Sequence, residues 1–170
     1  SSAFYGCVKM PEITVPSGTV KIGSHAFYNC TVLKDVNLPE TLTTLDRYAF
    51  EKCPSLESIE LPDSIEIIGY RAFAECTKLS SINYPKNWKE VWTWNGGDIF
   101  RDCPALKNIT VPEGVTIIPE NAFEDCTNLE YVGFNNQLKT IGSSAFSGCT
   151  NLTEIYLSNS VEAIGSSAFS

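Results

Sequence analysis

The apolar positions of this chain follow two rhythms in alternation. Within Ala49 to Arg71, the residues Ala49, Cys53 and Leu56 fall at i, i+4 and i+7, the spacing of one helical face, and a Ser, Tyr or Asn often sits just before the Ala as an N-cap. A short helical turn is expected there. Ile59 and Leu61 then alternate with Ser58 and Glu60. Period two predicts a strand of about five residues with Ile59 and Leu61 inward, ended by Pro62, which has no N–H for a ladder. Ile65 and Ile68 add a second inward ridge on an extended or 3₁₀-like return path before a turn at Gly69. One such pass closes one coil.

The pass recurs along the whole chain. Cys7, Cys30, Cys53, Cys76, Cys103, Cys126 and Cys149 are separated by 23, 23, 23, 27, 23 and 23 residues. Counted from the Ala of Ala-Phe, units start at Ala3, Ala26, Ala49, Ala72, Ile99, Ala122 and Ala145, giving seven full units, and an eighth begins at Ala168. Their shared pattern is A-F-x-x-C-x-x-L-x-x-I-x-L-P-x-x-L-x-x-I-G-x-x. A fixed period of this length signals a solenoid, because one coil buries too little apolar surface to offset the entropy of ordering it. Stacked coils are expected to pair their strands into one parallel sheet with a spacing near 4.8 Å, roughly 30 Å wide. Residues 1–170 therefore read as a single solenoid. Ser1 to Phe4 repeat the junctions Ser143 to Phe146 and Ser166 to Phe169, so we expect a segment of a longer array.

Several units depart from the pattern. Pro119 stands in the I-G column, so that column needs no left-handed residue and its Gly reads as convenient. Thr19 occupies an apolar slot, with Val20 one place late, which is expected to shift the return path of that coil. Asn135 and Ser158 replace the Pro that ends the strand. The fourth unit is four residues longer and holds all three Trp. There Trp88 and Val91 are expected in core slots, while Trp92, Trp94 and the turn Asn95 to Asp98 bulge outward as a loop.

The motif L-x-x-I-x-L-P followed by I-G-x-x-A-F-x-x-C, as in Leu33, Val36, Leu38, Pro39, Leu42, Leu45, Ala49, Phe50 and Cys53, resembles the BspA-like leucine-rich repeats of bacterial surface proteins. The resemblance covers the whole chain. It implies a right-handed, curved leucine-rich-repeat solenoid of seven 23-residue coils, with a parallel β-sheet on one face and helical turns and extended segments elsewhere. It also implies extracellular or cell-surface placement, adhesion to a protein or glycoconjugate of a host or neighbouring cell, and no catalytic residues.

Composition narrows the chemistry further. Of 170 residues 43% are hydrophobic, enough for one domain's core, and a net charge of -8 disfavours nucleic acid and anionic membrane as partners. No apolar run reaches the roughly 20 residues of a membrane span, and the N-terminus lacks the order of a signal peptide, so any export signal or anchor is expected outside this segment. One His and one Met leave little for imidazole catalysis or a multi-His metal site, so no metal and no cofactor is expected. His25 reads as a solvated loop residue.

The Cys column reads as free, buried thiols packed as small hydrophobes. Pairing identical positions leaves one of seven over, and a line of thiols does not make a tetrahedron. The outward strand positions carry Glu12, Asp35, Ser58, Ser81, Asn108, Tyr131 and Glu154 in one column and Thr14, Asn37, Glu60, Asn83, Thr110, Gly133 and Tyr156 in the other. Most are short and polar. Tyr131 and Tyr156, on adjacent coils, suit recognition of protein or sugar, with Glu154 beside them and Gly133 leaving room above the sheet next to Tyr156. Trp92 and Trp94 form a second candidate contact. Packing alone accounts equally for either aromatic group, and a spacer that projects another domain without a ligand of its own is the competing function.

Overall fold

In this computed structural model the described residues are 1–88 and 97–170, together with the strand backbone of Glu90 and Val91. Two strands recur in each coil. The first series, at the I-x-L segment, comprises β1 (Glu12–Thr14), β3 (Asp35–Asn37), β5 (Ser58–Ile59), β7 (Ser81–Ile82), β9 (Asn108–Thr110) and β11 (Tyr131–Gly133). The second, on the return path, comprises β2 (Lys21–Ile22), β4 (Thr44–Leu45), β6 (Ile67–Ile68), β8 (Glu90–Val91), β10 (Ile117–Ile118), β12 (Thr140–Ile141) and β13 (Ala163–Ile164). All pairings are parallel and join equivalent residues of successive coils, for example Ile13↔Val36 and Leu45↔Ile68. The 23-residue spacing is thus a structural register.

The strands differ from expectation in length and in distribution. Each is two or three residues long; in the first series Pro16, Pro39, Pro62, Pro85 and Pro112 follow within three residues of the strand end and bar its extension, while β11 stops before Asn135. That series forms three two-stranded sheets, β1 with β3, β5 with β7, and β9 with β11. The longer ladders lie on the return path, as β2-β4-β6-β8 and β10-β12-β13, with the break falling at the four-residue insertion. Sheet therefore occupies two faces of the coil. Where β7 stops short, the Asn83 side chain takes over its role, accepting from the Leu61 N–H at 2.7 Å and donating to the Leu61 carbonyl at 2.8 Å. Asn135, in the Pro column, donates to the carbonyls of Pro112 and Val115 and accepts from the Gln137 N–H, so it anchors the corner by side chain. Thr19 leaves the register unchanged, with Lys21↔Thr44 and Ile22↔Leu45 paired, and Val20 is left exposed.

No helix forms at the Ala-Phe-x-x-Cys segment. The residue just before the Ala and the residue just before the Cys adopt left-handed backbone, as at Tyr48 (φ 60°) and Lys52 (φ 60°), His25 (φ 56°) and Asn29 (φ 56°), and Asn121 (φ 52°) and Asp125 (φ 60°). Alternate amides then point in different directions. Ala26, Tyr28 and Cys30 bond back three residues within their own coil, whereas His25, Phe27 and Asn29 bond across to Arg47, Ala49 and Glu51 of the next. A helix would turn every donor along its own axis and leave the neighbouring coil unbonded. The inter-coil bonds offset the roughly 1–2 kcal/mol cost of each left-handed non-Gly residue.

Inside this turn runs a stack of phenylalanines. Phe4, Phe27, Phe50, Phe73, Phe100, Phe123, Phe146 and Phe169 lie ring over ring with centroid separations of 4.9–5.8 Å. The cysteines line up beside it as free thiols. From Cys30 onward each donates to the Phe carbonyl of the preceding coil at 3.1–3.2 Å, so the column supplies an inter-coil hydrogen bond as well as apolar volume. Trp88 fills its expected core slot, buried against Tyr84 at 4.6 Å.

The I-G column has a different cause from the one expected. Gly69, Gly142 and Gly165 do not have positive φ, but a Cβ on each would sit 2.5, 2.5 and 2.3 Å from backbone nitrogen of the preceding coil. Glycine is needed there for close approach of two coils. Gly97 similarly faces Pro119, with a Cβ 2.5 Å from the proline's own Cβ.

Two outcomes follow for the folded chain. Asn29→Gly is expected to leave stability unchanged or raise it, while Asn29→Val lowers it by about 1–2 kcal/mol in urea unfolding, because a β-branched residue resists the left-handed backbone. Burial pushes Cys76 and Cys149 up to about 12 and raises Cys103 and Cys126 as well, so these thiols remain protonated and unreactive at neutral pH. Iodoacetamide at pH 8 is expected to modify the half-exposed Cys7 readily and Cys76, Cys103, Cys126 and Cys149 only after unfolding, with no mass change on reduction beforehand.

Candidate functional site

The outward strand face has the shallow, polar character its columns describe, and almost every residue on it is exposed. Tyr131 is 54% exposed and Tyr156 76%. They are presented differently. Tyr131 lies on β11, in register with Asn108 of β9, whereas Glu154 to Tyr156 belong to no strand. Tyr156 Oη donates to Glu154 Oε2 at 2.8 Å, which ties the ring to the carboxylate two residues earlier. Gly133 does leave room above the sheet, but Tyr131 fills it. A Cβ on Gly133 would lie 3.1 Å from Tyr131 Oη and 3.2 Å from its Cε1, so the ring leans along its own strand. The room is therefore not Tyr156's. Trp92 and Trp94 lie outside the described residues.

A second surface, on the Ala-Phe turn, carries chemistry that the sequence reading passed over. His25 stacks on Tyr48 at 4.5 Å and meets Tyr28 at 5.4 Å, while Tyr28 stacks on Tyr5 at 4.9 Å and Tyr48 meets Tyr70 edge-on at 5.5 Å. His25 is thus half-buried in an aromatic cluster rather than free in solvent, with Nδ1 paired to Ser24 Oγ at 2.8 Å. Its signal was available, since His25 and Tyr48 stand just before the Ala, and Tyr5 and Tyr28 two residues after it, in successive units.

Further along the same ridge the aromatics give way to charge. Arg71 bonds Glu51 at 2.8 Å and Glu75 at 2.6 Å, and Arg101 bonds Glu124 at 3.1 Å. Between them lies Asp98, 3% exposed, which accepts from Asn121 Nδ2 at 2.8 Å and from Tyr70 Oη at 3.2 Å. Asp98 closes the long fourth unit, so this network fixes the C-terminal foot of the insertion. Burial pushes the Glu51 carboxyl above its ordinary range against the pull of Arg71, and Arg71, facing several carboxylates, is held charged despite its own desolvation. The two directions agree on one geometry: one guanidinium serves more acids than it can neutralise.

Removing Arg71 leaves Glu51 and Asp98 buried with less compensation. Arg71→Ala is expected to cost about 3 kcal/mol at pH 7. Glu51 has its folded pKa raised, so its ionised form weakens the fold and the penalty shrinks as pH falls through that pKa. Thermal melts should therefore show a smaller gap between variant and parent at pH 5 than at pH 7, and an equal or wider gap contradicts this reading.

Among the described residues, no group of three or more His, Cys, Asp or Glu has the arrangement of a metal site, and no helix is long and apolar enough to cross a membrane. No curated protein matches the chain. Among solved structures, a leucine-rich repeat protein of T. pallidum, TpLRR, is 33% identical with a TM-score of 0.81, over 95% of this chain and 78% of its own. A leucine rich cell surface protein of Faecalibacterium prausnitzii is 30% identical with a TM-score of 0.78, over 95% of this chain and 45% of its own. A leucine-rich repeat protein from Eubacterium ventriosum is 27% identical with a TM-score of 0.84, over 95% and 42%. The chain thus spans less than half of the last two. The description "BspA type Leucine rich repeat region" matches residues 1–94 and 96–170 in six copies, and the chain belongs to that family.

Proposed function

We propose that this chain is a non-catalytic interaction module of a bacterial cell-surface or secreted protein, holding a macromolecular partner on its outward strand face. The observation that carries this is the exposure of Tyr131 and Tyr156 on a face otherwise made of short polar side chains. Large amphipathic rings left in water offer contact area at little entropic cost, which is the usual role of tyrosine in recognition. Surface placement is supported by the cell-surface relative from Faecalibacterium prausnitzii.

A spacer without a ligand of its own is the second reading. It is favoured by the internal use of several outward residues, since Asn83 bonds the neighbouring strand and Asn37 reaches Thr14 at 3.5 Å.

Capture of host or neighbouring bacterial cells by the immobilised chain, before and after Tyr131→Ala with Tyr156→Ala, separates the two. The interaction reading expects capture by the parent and loss of at least about tenfold in the folded double variant, equivalent to 1.4 kcal/mol or more. Capture that ignores both substitutions, or no capture by the parent, supports the spacer.

A further inference from the structure

The geometry points to a neutral carbohydrate as the ligand of this face, with a pyranose ring stacked on Tyr131 and its hydroxyls met by Asn108, Thr110 and Glu154. This rests on the proposed interaction role and names its substrate class.

Three observations lead there. First, Tyr131 is supported as a platform. Gly133 lacks the side chain that would lift the ring, since a Cβ there would come within 3.1 Å of Tyr131 Oη, and more than half of the residue remains in solvent. An aromatic ring leaning on a strand offers an apolar, electron-rich face of about the size of one sugar ring, to which the axial C–H groups of a pyranose present their weakly positive edge.

Second, the neighbours of that ring are hydrogen-bonding groups of the kinds that bind hydroxyls. Asn108 is paired with Tyr131 in the β9–β11 ladder and Thr110 with Gly133, and both side chains are exposed. On the next coil the Glu154 carboxylate is exposed and already oriented by the Tyr156 hydroxyl at 2.8 Å. Amide, hydroxyl and carboxylate supply both donors and acceptors, as vicinal sugar hydroxyls require.

Third, charge and area argue against the other occupants. The two outward columns contain Glu12, Asp35, Glu60 and Glu154 but no Lys or Arg, and the cation beside them, Lys107, is already paired with Glu130 at 3.7 Å, so a sialylated, sulfated or phosphorylated ligand is disfavoured on this face. A stable protein interface needs about 800 Å² on each side with an apolar centre. Two tyrosines among short polar residues do not form such a centre, whereas a sugar needs only one ring and a few hydrogen bonds.

The test uses the intact chain in saturation-transfer NMR and calorimetry against neutral tetrasaccharides (cellotetraose, mannotetraose, tetra-N-acetylchitotetraose). Sialyllactose, a heparin tetrasaccharide and a lysine-rich peptide serve as comparison ligands. The proposal expects saturation transfer to at least one neutral tetrasaccharide and weaker or no transfer to the acidic ones. Tyr131→Phe should retain affinity within about twofold, because the ring face is kept, while Tyr131→Ala should weaken it by about tenfold or more. Gly133→Val keeps a residue that suits a strand but displaces the ring, and should weaken binding comparably with an unchanged melting temperature.

No transfer to any neutral tetrasaccharide overturns the proposal, as does binding that ignores both Tyr131→Ala and Gly133→Val, or preferential binding of the lysine-rich peptide. If cell capture still depends on Tyr131 and Tyr156 in that event, the interaction role stands and only the sugar assignment falls. If capture fails too, both fall.

Discussion

Everything in this molecule depends on each coil bonding the next in strict register at the Ala-Phe turn. Strand ladders exist on two faces but are short and interrupted, the outward one after every second coil and the return-path one at the insertion. The turn is continuous where the sheets are not. Phe73 and Glu75 donate across the long fourth unit to Ile99 and Arg101, just as Phe50 and Lys52 donate to Ala72 and Ala74 where no insertion intervenes. The Phe73 and Phe100 rings remain parallel to within 12° at 5.8 Å. The stack thereby runs on unbroken across a unit four residues longer than its neighbours.

That continuity explains why each column has the residue it has. Cys is small enough to sit beside the phenylalanines and still carries a donor for the carbonyl of the preceding coil, a combination Ala or Val lacks. Gly69, Gly142 and Gly165 mark where two coils approach too closely for a side chain. The left-handed residues are tolerated because their amides are needed in the direction of the neighbour. The buried charges of Glu51 and Asp98, with the half-buried Arg71 between them, pack on the outside of the same turn, at the foot of the insertion, where loss of register would expose them.

Much of this was legible beforehand, because a period of 23 residues fixes which side chains share a column whatever the backbone does within a coil. The inward roles of Cys53, Leu56, Ile59 and Ile68, the core position of Trp88 and the free state of the thiols all follow from column and chemistry. The helical turn did not, because i, i+4, i+7 spacing is equally produced by a turn whose two left-handed residues reset its direction. The first of those sites is filled by Ser, His, Tyr, Arg, Asp and Asn, and the second holds glycine only at Gly6 and Gly148, with Asn, Lys, Glu and Asp elsewhere, so no Gly column betrays them. The outward columns gave Tyr131 and Tyr156 correctly as exposed, but the lean of Tyr131 over Gly133 depends on a rotamer, which spacing does not encode. The His25, Tyr28 and Tyr48 cluster was within reach, had the turn columns been read as the strand columns were.

Amide hydrogen exchange on either side of the insertion tests the central claim most directly. If coils hold one another through the turn ladder, the amides of Phe73 and Glu75 should be protected to within about tenfold of Phe50 and Lys52, a free-energy difference under 1.4 kcal/mol. Free exchange at Phe73 and Glu75, with protected blocks on either side, would mean that the long unit separates two independent stacks and would contradict the account.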